Sequence, residues 1–140
     1  MRQYVLDANA LLRFIINADG AEMVEKVLKE ATASETRVVM SVVNWGEVYY
    51  TMARRIGLAK TDQLLTETLE KTHLWLIQVD QENIAKVARL KAQNHDVPYA
   101  DCFAAALAGS RHVLVTAAVK HFERVRTPKL RLLKLPPAKQ

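Results

Sequence analysis

Three acidic residues of this sequence stand out because each lies among small or apolar neighbours instead of on a charged surface. Asp7 follows the apolar run 4–6, Glu47 lies in the segment SVVNWGEVYY, and Asp101 precedes an almost uniformly apolar stretch. Carboxylates that converge in a partly desolvated site repel one another, which raises their pKa values unless a cation joins them. Oxygen ligands suit Mg²⁺ or Mn²⁺, and a lone cysteine, Cys102, excludes a zinc site built from cysteines. The residues therefore point to a magnesium or manganese site.

Each acid also has a purely structural explanation, and the residues alone leave both readings open. Asp7 fits the N-cap of a following helix, a role worth ~1 kcal/mol. Asn44 and Glu47, three residues apart, resemble a capping box. Asp101 falls in the first turn of a predicted helix, where the helix dipole favours an acid.

The elements that would position these acids alternate between strand and helix. Apolar runs predict strands at 4–6, 36–41, 74–79, 113–116 and 130–135. Helical periodicity predicts helices at 8–16, from 20 onward, and at 44–56, 61–72, 81–94 and 98–109. Such alternation is typical of a parallel sheet covered by helices on both faces, an α/β sandwich. We expect residues 1–140 to form a single domain, with a frayed end after the last strand.

Charge and hydropathy narrow the class of protein further. No apolar run approaches the ~20 residues of a membrane span, and the early charges at Asp7 and Arg13 are unlike a secretion signal. We therefore expect a cytoplasmic protein. The net charge of +5 is concentrated after residue 119, where only Glu123 opposes a basic strip. The strip consists of Lys120, Arg124, Arg126, Lys129, Arg131, Lys134 and Lys139. It suits a polyanion such as nucleic acid, although charge alone favours a merely solvated tail.

Three segments carry a resemblance to a known family. Residues 4–9 (YVLDAN), 41–50 (SVVNWGEVYY) and 99–106 (YADCFAAA) resemble the main motifs of PIN-domain ribonucleases, and most closely the VapC-type toxins of toxin–antitoxin pairs. The resemblance covers essentially the whole chain in motif order and spacing. It implies a three-layer α/β/α fold with about five parallel strands. It also implies a Mg²⁺- or Mn²⁺-dependent endoribonuclease, usually a homodimer, that a cognate antitoxin holds inactive.

The resemblance also implies site residues. Asp7, Glu47 and Asp101 would be the metal ligands, Asn9 a polar neighbour of the first acid, and Thr116 a hydroxyl at the end of the fourth strand. On this basis we expect a metal-activated water to attack an RNA phosphodiester.

The sequence departs from the family at one position. Where a fourth carboxylate is expected after Thr116, the chain has Ala118. Losing that ligand should leave one weakly bound metal, or none, and reduced activity. An introduced substitution that protects the expressing cell and a natural change both account for the alanine; we favour the first.

Two other functions stay open. The first is that of a catalytically silent PIN-like protein, which only binds an antitoxin or RNA. Alternatively, Asp7 would be a phosphoryl-accepting nucleophile, although Asn9 stands where the general acid of such enzymes is expected. For a ribonuclease, Arg13, Arg54, Arg55 and the segment 120–134 are the candidates to hold the RNA backbone.

Overall fold

The computed structural model describes residues 3–33 and 35–137, and within these ranges the chain forms five strands and seven helices. The strands are β1 (Gln3–Leu6), β2 (Arg37–Ser41), β3 (Leu74–Ile77), β4 (Val113–Thr116) and β5 (Arg131–Lys134). The helices are α1 (Ala8–Ile15), α2 (Ala21–Ala33), α3 (Val42–Ile56), α4 (Leu58–Lys71), α5 (Gln81–Gln93), α6 (Tyr99–Ala108) and α7 (Val119–Glu123).

All five strands run parallel in the order β3-β2-β1-β4-β5, so β1 is the central strand. Parallel strands place all their carboxyl ends at one edge of the sheet, where helix N-termini also gather. In the β1–β4 register Leu6 is opposite Val115. The next residues along, Asp7 and Thr116, therefore face each other at that edge.

Alternation along the strands divides the core into two layers, one on each face of the sheet. Leu6, Met40 and Val115 point to the layer that α1, α2, α3 and α4 cover. Val5, Val39 and Leu114 point to the other, which α5, α6 and Phe122 of α7 cover. These strand residues are almost completely buried, as expected for strands with helices on both faces. The three-layer α/β/α sandwich with a parallel five-stranded sheet is confirmed.

The main differences from the sequence predictions concern three helices, while other element ends shift by one or two residues. Helix α3 begins at Val42, two residues before the predicted start, because Ser41 is its N-cap and accepts a hydrogen bond from Val43 N at 3.2 Å. Helix α4 begins at Leu58 instead of residue 61. Helix α7 was not predicted at all. Of the expected frayed end, residues 138–140 lie outside the described part of the chain.

No helix in the described ranges is long and apolar enough to cross a membrane. Cys102 is fully buried in α6, where it packs as a small core residue.

Candidate functional site

Asp7 lies at the edge of the sheet between the end of β1 and the start of α1. Its Oδ1 accepts a hydrogen bond from Ala10 N at 2.8 Å, so the predicted N-cap role is confirmed. Its Oδ2 accepts a hydrogen bond from the Thr116 hydroxyl at the end of β4, and that hydroxyl oxygen in turn accepts from Ala118 N at 2.8 Å. The carboxylate is only 2% exposed. A helix cap needs no such burial and no partner from another strand, so capping alone does not account for this acid.

The ionisation of Asp7 is strongly perturbed. Its pKa is raised from 3.8 to about 7: burial is the main cause, the hydrogen bonds from Thr116 and Ala10 oppose the shift, and the negative charges of Asp101 and Glu47 add to it. A carboxyl group with a pKa near neutrality costs free energy to ionise in this position. A nearby cation would reverse that penalty.

Glu47 lies one and a half turns into α3 and is oriented by Asn44. The Asn44 amide nitrogen donates to Glu47 Oε1 at 2.9 Å and to the carbonyl oxygen of Ala100, on α6, at 3.0 Å. Partial burial raises the pKa of Glu47, with a further rise from Asp101, while the Asn44 hydrogen bond lowers it. The predicted capping box is therefore wrong. Helix α3 starts before Asn44, so the side chain of Glu47 accepts from the Asn44 side chain and caps no helix terminus.

Asn44 is itself fully buried, and its Oδ1 is the one buried side-chain oxygen or nitrogen without a hydrogen-bond partner among the residues described. Leaving a buried polar atom unpaired costs about 1–3 kcal/mol. In the sequence, the sign of Asn44 is its spacing of three residues from Glu47 on a helix. That spacing predicts a capping box instead of the bond between the two side chains.

Asp101, in the first turn of α6, is held by a histidine that sequence reasoning missed. Its Oδ2 lies 2.8 Å from Nδ1 of His121 on α7. Burial raises the pKa of Asp101, and the hydrogen bond and charge of His121 lower it. None of the four histidines has metal-ligand spacing, so the sequence does not single out a histidine of the site. His121 is half-exposed, but it contacts an acid of the site. A contact between two residues that lie 20 positions apart, on different helices, leaves no periodic signal in the sequence.

The three acids share one electrostatic environment without forming a finished metal site. Asp101 raises the pKa of both Asp7 and Glu47, and Glu47 raises that of Asp7. Among residues 3–33 and 35–137, however, no three histidine, cysteine or acidic side chains are arranged as a ready metal-binding group. The hydrogen bonds described above use Glu47 Oε1 and Asp101 Oδ2, which leaves the other oxygen of each carboxylate out of them. The donor set fits one hydrated Mg²⁺ or Mn²⁺, an ion that keeps several waters and needs few protein oxygens.

The remaining predicted site residues take different positions. Thr116 is completely buried and bonded to Asp7, as described. Asn9 is exposed in the first turn of α1. Ala118 occupies the N-cap of α7 and has no side chain that can accept a hydrogen bond or bind a cation. Because the Ala118 N–H donates to Thr116 Oγ1, a carboxylate at this position would lie two residues after Thr116 and close to the Asp7–Thr116 pair.

Of the basic residues proposed to hold RNA, Arg13 is excluded by its contacts. It is 9% exposed, and its Nη1 donates to the carbonyl oxygens of Asp19 at 2.6 Å and Pro136 at 2.9 Å. Arg13 thereby fastens the segment after β5 to the loop after α1, which is a structural role. Arg54 and Arg55 are exposed, and Arg54 lies over the ring of Tyr50 at 5.3 Å. The basic side chains of the segment 120–134 are also exposed, although Lys134 pairs with Glu123 at 3.5 Å.

Comparison with known proteins gives one family match and several similar folds. The model of the PIN domain matches residues 4–127. One chain of DNA-bound VapBC from Salmonella typhimurium is 22% identical with a TM-score of 0.76, the alignment covering 96% of this chain and 98% of that one. One chain of VapBC2 from Rickettsia felis, bound to a promoter DNA fragment, is 19% identical with a TM-score of 0.76, covering 96% and 99%.

A third similar structure is a toxin–antitoxin complex from Klebsiella pneumoniae, one chain of which is 19% identical with a TM-score of 0.62, covering 91% of this chain and 94% of that one. No curated protein sequence matches this chain. At these identities the solved structures establish a shared fold and nothing finer.

Proposed function

The chain belongs to the PIN-domain family, and on that premise we propose that it is a divalent-metal-dependent endoribonuclease, the toxin of a toxin–antitoxin pair. Its substrate would be RNA, its reaction the hydrolysis of a phosphodiester bond, and its metal Mg²⁺ or Mn²⁺. Residues 1–140 would act as a single PIN domain.

The observation that carries the proposal is the burial of Asp7 beside two further carboxylates. At the carboxyl edge of the sheet, the charges of Asp101 and Glu47 raise the pKa of Asp7, and the charge of Asp101 raises that of Glu47. An arrangement of this kind is stabilised when a divalent cation offsets the repulsion. We assign Asp7, Glu47 and Asp101 as the metal ligands. When bound, the ion would supply Lewis-acid chemistry for the attack of water on a phosphate.

The other residues of the site hold these ligands in place. Thr116 and Ala10 N fix the two oxygens of Asp7, so this carboxylate cannot rotate away from the edge of the sheet. His121 holds Asp101 in the same manner. We also assign Asn9, which is exposed two residues after Asp7, as a substrate contact. The exposed cations Arg54 and Arg55 and the basic strip would attract the RNA backbone, an interaction that weakens with salt.

An antitoxin partner is supported by the fold shared with chains of VapBC and toxin–antitoxin complexes. By the same analogy we propose a homodimer. Binding of a second protein over the acidic site would keep the nuclease inactive.

Ala118 supports a second candidate function, a silent PIN-like protein that binds an antitoxin or RNA without cleaving. With alanine at the N-cap of α7, the fourth carboxylate of the resemblance is missing. The nucleophile hypothesis is disfavoured, since both oxygens of Asp7 accept hydrogen bonds and the residue is almost completely buried.

The test is cleavage of single-stranded RNA by the purified chain, its Ala118→Asp variant and its Asp101→Asn variant, with Mn²⁺ and with EDTA. A ribonuclease predicts metal-dependent cleavage that increases with Ala118→Asp and disappears with Asp101→Asn. If the Ala118→Asp variant binds RNA but cleaves none in the presence of Mn²⁺, the silent binding protein is the better description.

A further inference from the structure

We infer that Asn44 is the positioning residue of the candidate site and sets where Glu47 stands relative to Asp101. The inference rests on the proposed function, because it treats these two acids as ligands of one ion. The Asn44 nitrogen donates both to the carboxylate of Glu47 and to the carbonyl of Ala100, the residue directly before Asp101. One side chain therefore links an acid of α3 to the backbone that carries an acid of α6.

The geometry of this link is restrictive. An amide nitrogen carries two hydrogens, and Asn44 uses one for each acceptor. Two oxygens bonded to one nitrogen at 2.9 and 3.0 Å lie no more than about 6 Å apart. The distance between the Glu47 carboxylate and the first turn of α6 is thus fixed by a residue that is neither a ligand nor exposed.

Packing alone does not explain an amide at this position. Asn44 is fully buried, and both of its acceptors are oxygens, so the nitrogen must face them and Oδ1 is left without a partner. An apolar side chain of similar size would avoid the unpaired Oδ1 but would donate to neither Glu47 nor Ala100. Only a neutral group with two hydrogens serves both oxygens: a hydroxyl donates once, an aspartate donates nothing and would repel Glu47, and a buried ammonium would carry an unneeded charge.

A second buried asparagine provides a matched control. Asn94, at the C-cap of α5, is 3% exposed, donates to the carbonyl of Leu90 at 2.8 Å and accepts from Arg126 N at 3.0 Å. These bonds involve none of the three acids. Asn94→Leu and Asn44→Leu therefore each remove a buried amide, but only the amide of Asn44 is bonded to an acid of the site.

The experiment compares Asn44→Leu, Asn44→Asp and Asn94→Leu in the full chain carrying Ala118→Asp. Two quantities are measured: the Mn²⁺ affinity, from free Mn²⁺ in electron paramagnetic resonance spectra, and the separation of Glu47 Oε1 from Ala100 O in metal-free crystal structures. Both Asn44 variants should lengthen that separation, and Asn44→Leu, which adds no carboxylate, should lower the Mn²⁺ affinity at least ~10-fold. Asn94→Leu should change neither the oxygen separation nor the Mn²⁺ affinity, although the loss of its hydrogen bonds should lower the melting temperature.

The inference is overturned if the Asn44 variants keep the separation, if Asn44→Leu keeps the affinity, or if Asn94→Leu weakens Mn²⁺ binding equally. Asn44→Asp has the size of the original residue, so its oxygen separation decides the matter if Asn44→Leu does not fold. If the parent with Asn44 intact binds no Mn²⁺, the proposed function fails instead, and the oxygen separation alone then tests the role of Asn44.

Discussion

Thr116 donates a hydrogen bond to Oδ2 of Asp7, 109 residues earlier in the chain, and both side chains are buried. The bond joins the ends of β1 and β4 at the edge of the sheet where the candidate site lies. The Thr116 oxygen also accepts from Ala118 N, so the hydroxyl has an acceptor on one side and a donor on the other. This pair couples the stability of the sheet edge to the ionisation of one carboxyl group.

Thr116→Val should lower the free energy of unfolding by about 1–3 kcal/mol at pH 8, because valine keeps the shape of threonine but leaves the buried Asp7 carboxylate without its donor. The loss should shrink at pH 5, where Asp7 is protonated. Urea denaturation at both pH values measures it. Thr61→Val is the control, since Thr61 is equally buried and donates to the uncharged carbonyl of Gly57 at 2.7 Å. Equal losses for Thr116→Val at both pH values would contradict the coupling.

Without metal, the protein should lose stability as the pH rises from about 4 to 7. Because burial raises the pKa of Asp7 from 3.8 to about 7, the folded state holds a proton that the unfolded chain has released. The stabilisation is complete below the unfolded pKa and is lost as the pH rises through the folded one, up to about 4 kcal/mol in all. The raised pKa values of Glu47 and Asp101 act in the same direction.

The measurement is the free energy of unfolding in urea, with EDTA, across that pH range. Asp7→Asn carries no titrating group at this position, so it should flatten most of the dependence and be more stable than the parent at pH 8. A slope that is unchanged in Asp7→Asn would show that other groups cause it.

The sequence allowed the fold to be predicted because the fold depends on periodic signals. Short apolar strands alternate with amphipathic helices, and a parallel sheet brings strand ends together whatever the loops do. That rule brings the ends of β1 and β4 to one edge, whereas Thr116 itself was singled out only by the resemblance to PIN-domain ribonucleases. Helix α7 could not be predicted in this way, because its five residues are too few to show a helical period.

The contacts between helices were beyond prediction for a different reason. His121 reaches Asp101 and Asn44 reaches Ala100 only because of how α7, α6 and α3 pack, across 20 and 56 residues of chain. The spacing in the sequence offers Asn44 only a local capping box, which is why that prediction misses both of its partners. Likewise, the positive charge of Arg13 suggested a surface role, since composition does not reveal that backbone carbonyls enclose it.

Ala118→Asp should raise the affinity for Mn²⁺ at least ~10-fold, since it adds a carboxylate oxygen beside the Asp7–Thr116 pair. The rise in melting temperature on adding Mn²⁺ should grow accordingly. Isothermal titration calorimetry and thermal denaturation measure the two effects. Ser110→Asp adds the same charge at an exposed position and should leave both unchanged. If Ala118→Asp leaves Mn²⁺ affinity and RNA cleavage as they are, the missing carboxylate does not limit this site.

Arg13→Met and Arg55→Ala should separate stability from RNA binding. Methionine fills the space of the Arg13 stem but leaves the carbonyls of Asp19 and Pro136 without their donor, so the free energy of unfolding should fall by about 1.5–3 kcal/mol. RNA affinity should stay within about twofold, because a buried guanidinium contributes little to phosphate contacts. Arg55 is exposed, so Arg55→Ala should leave stability unchanged and weaken RNA binding in low salt. Urea denaturation and fluorescence anisotropy with labelled single-stranded RNA measure the two quantities. A marked loss of RNA affinity in Arg13→Met at a pH where it is still folded would restore Arg13 to the RNA-binding surface.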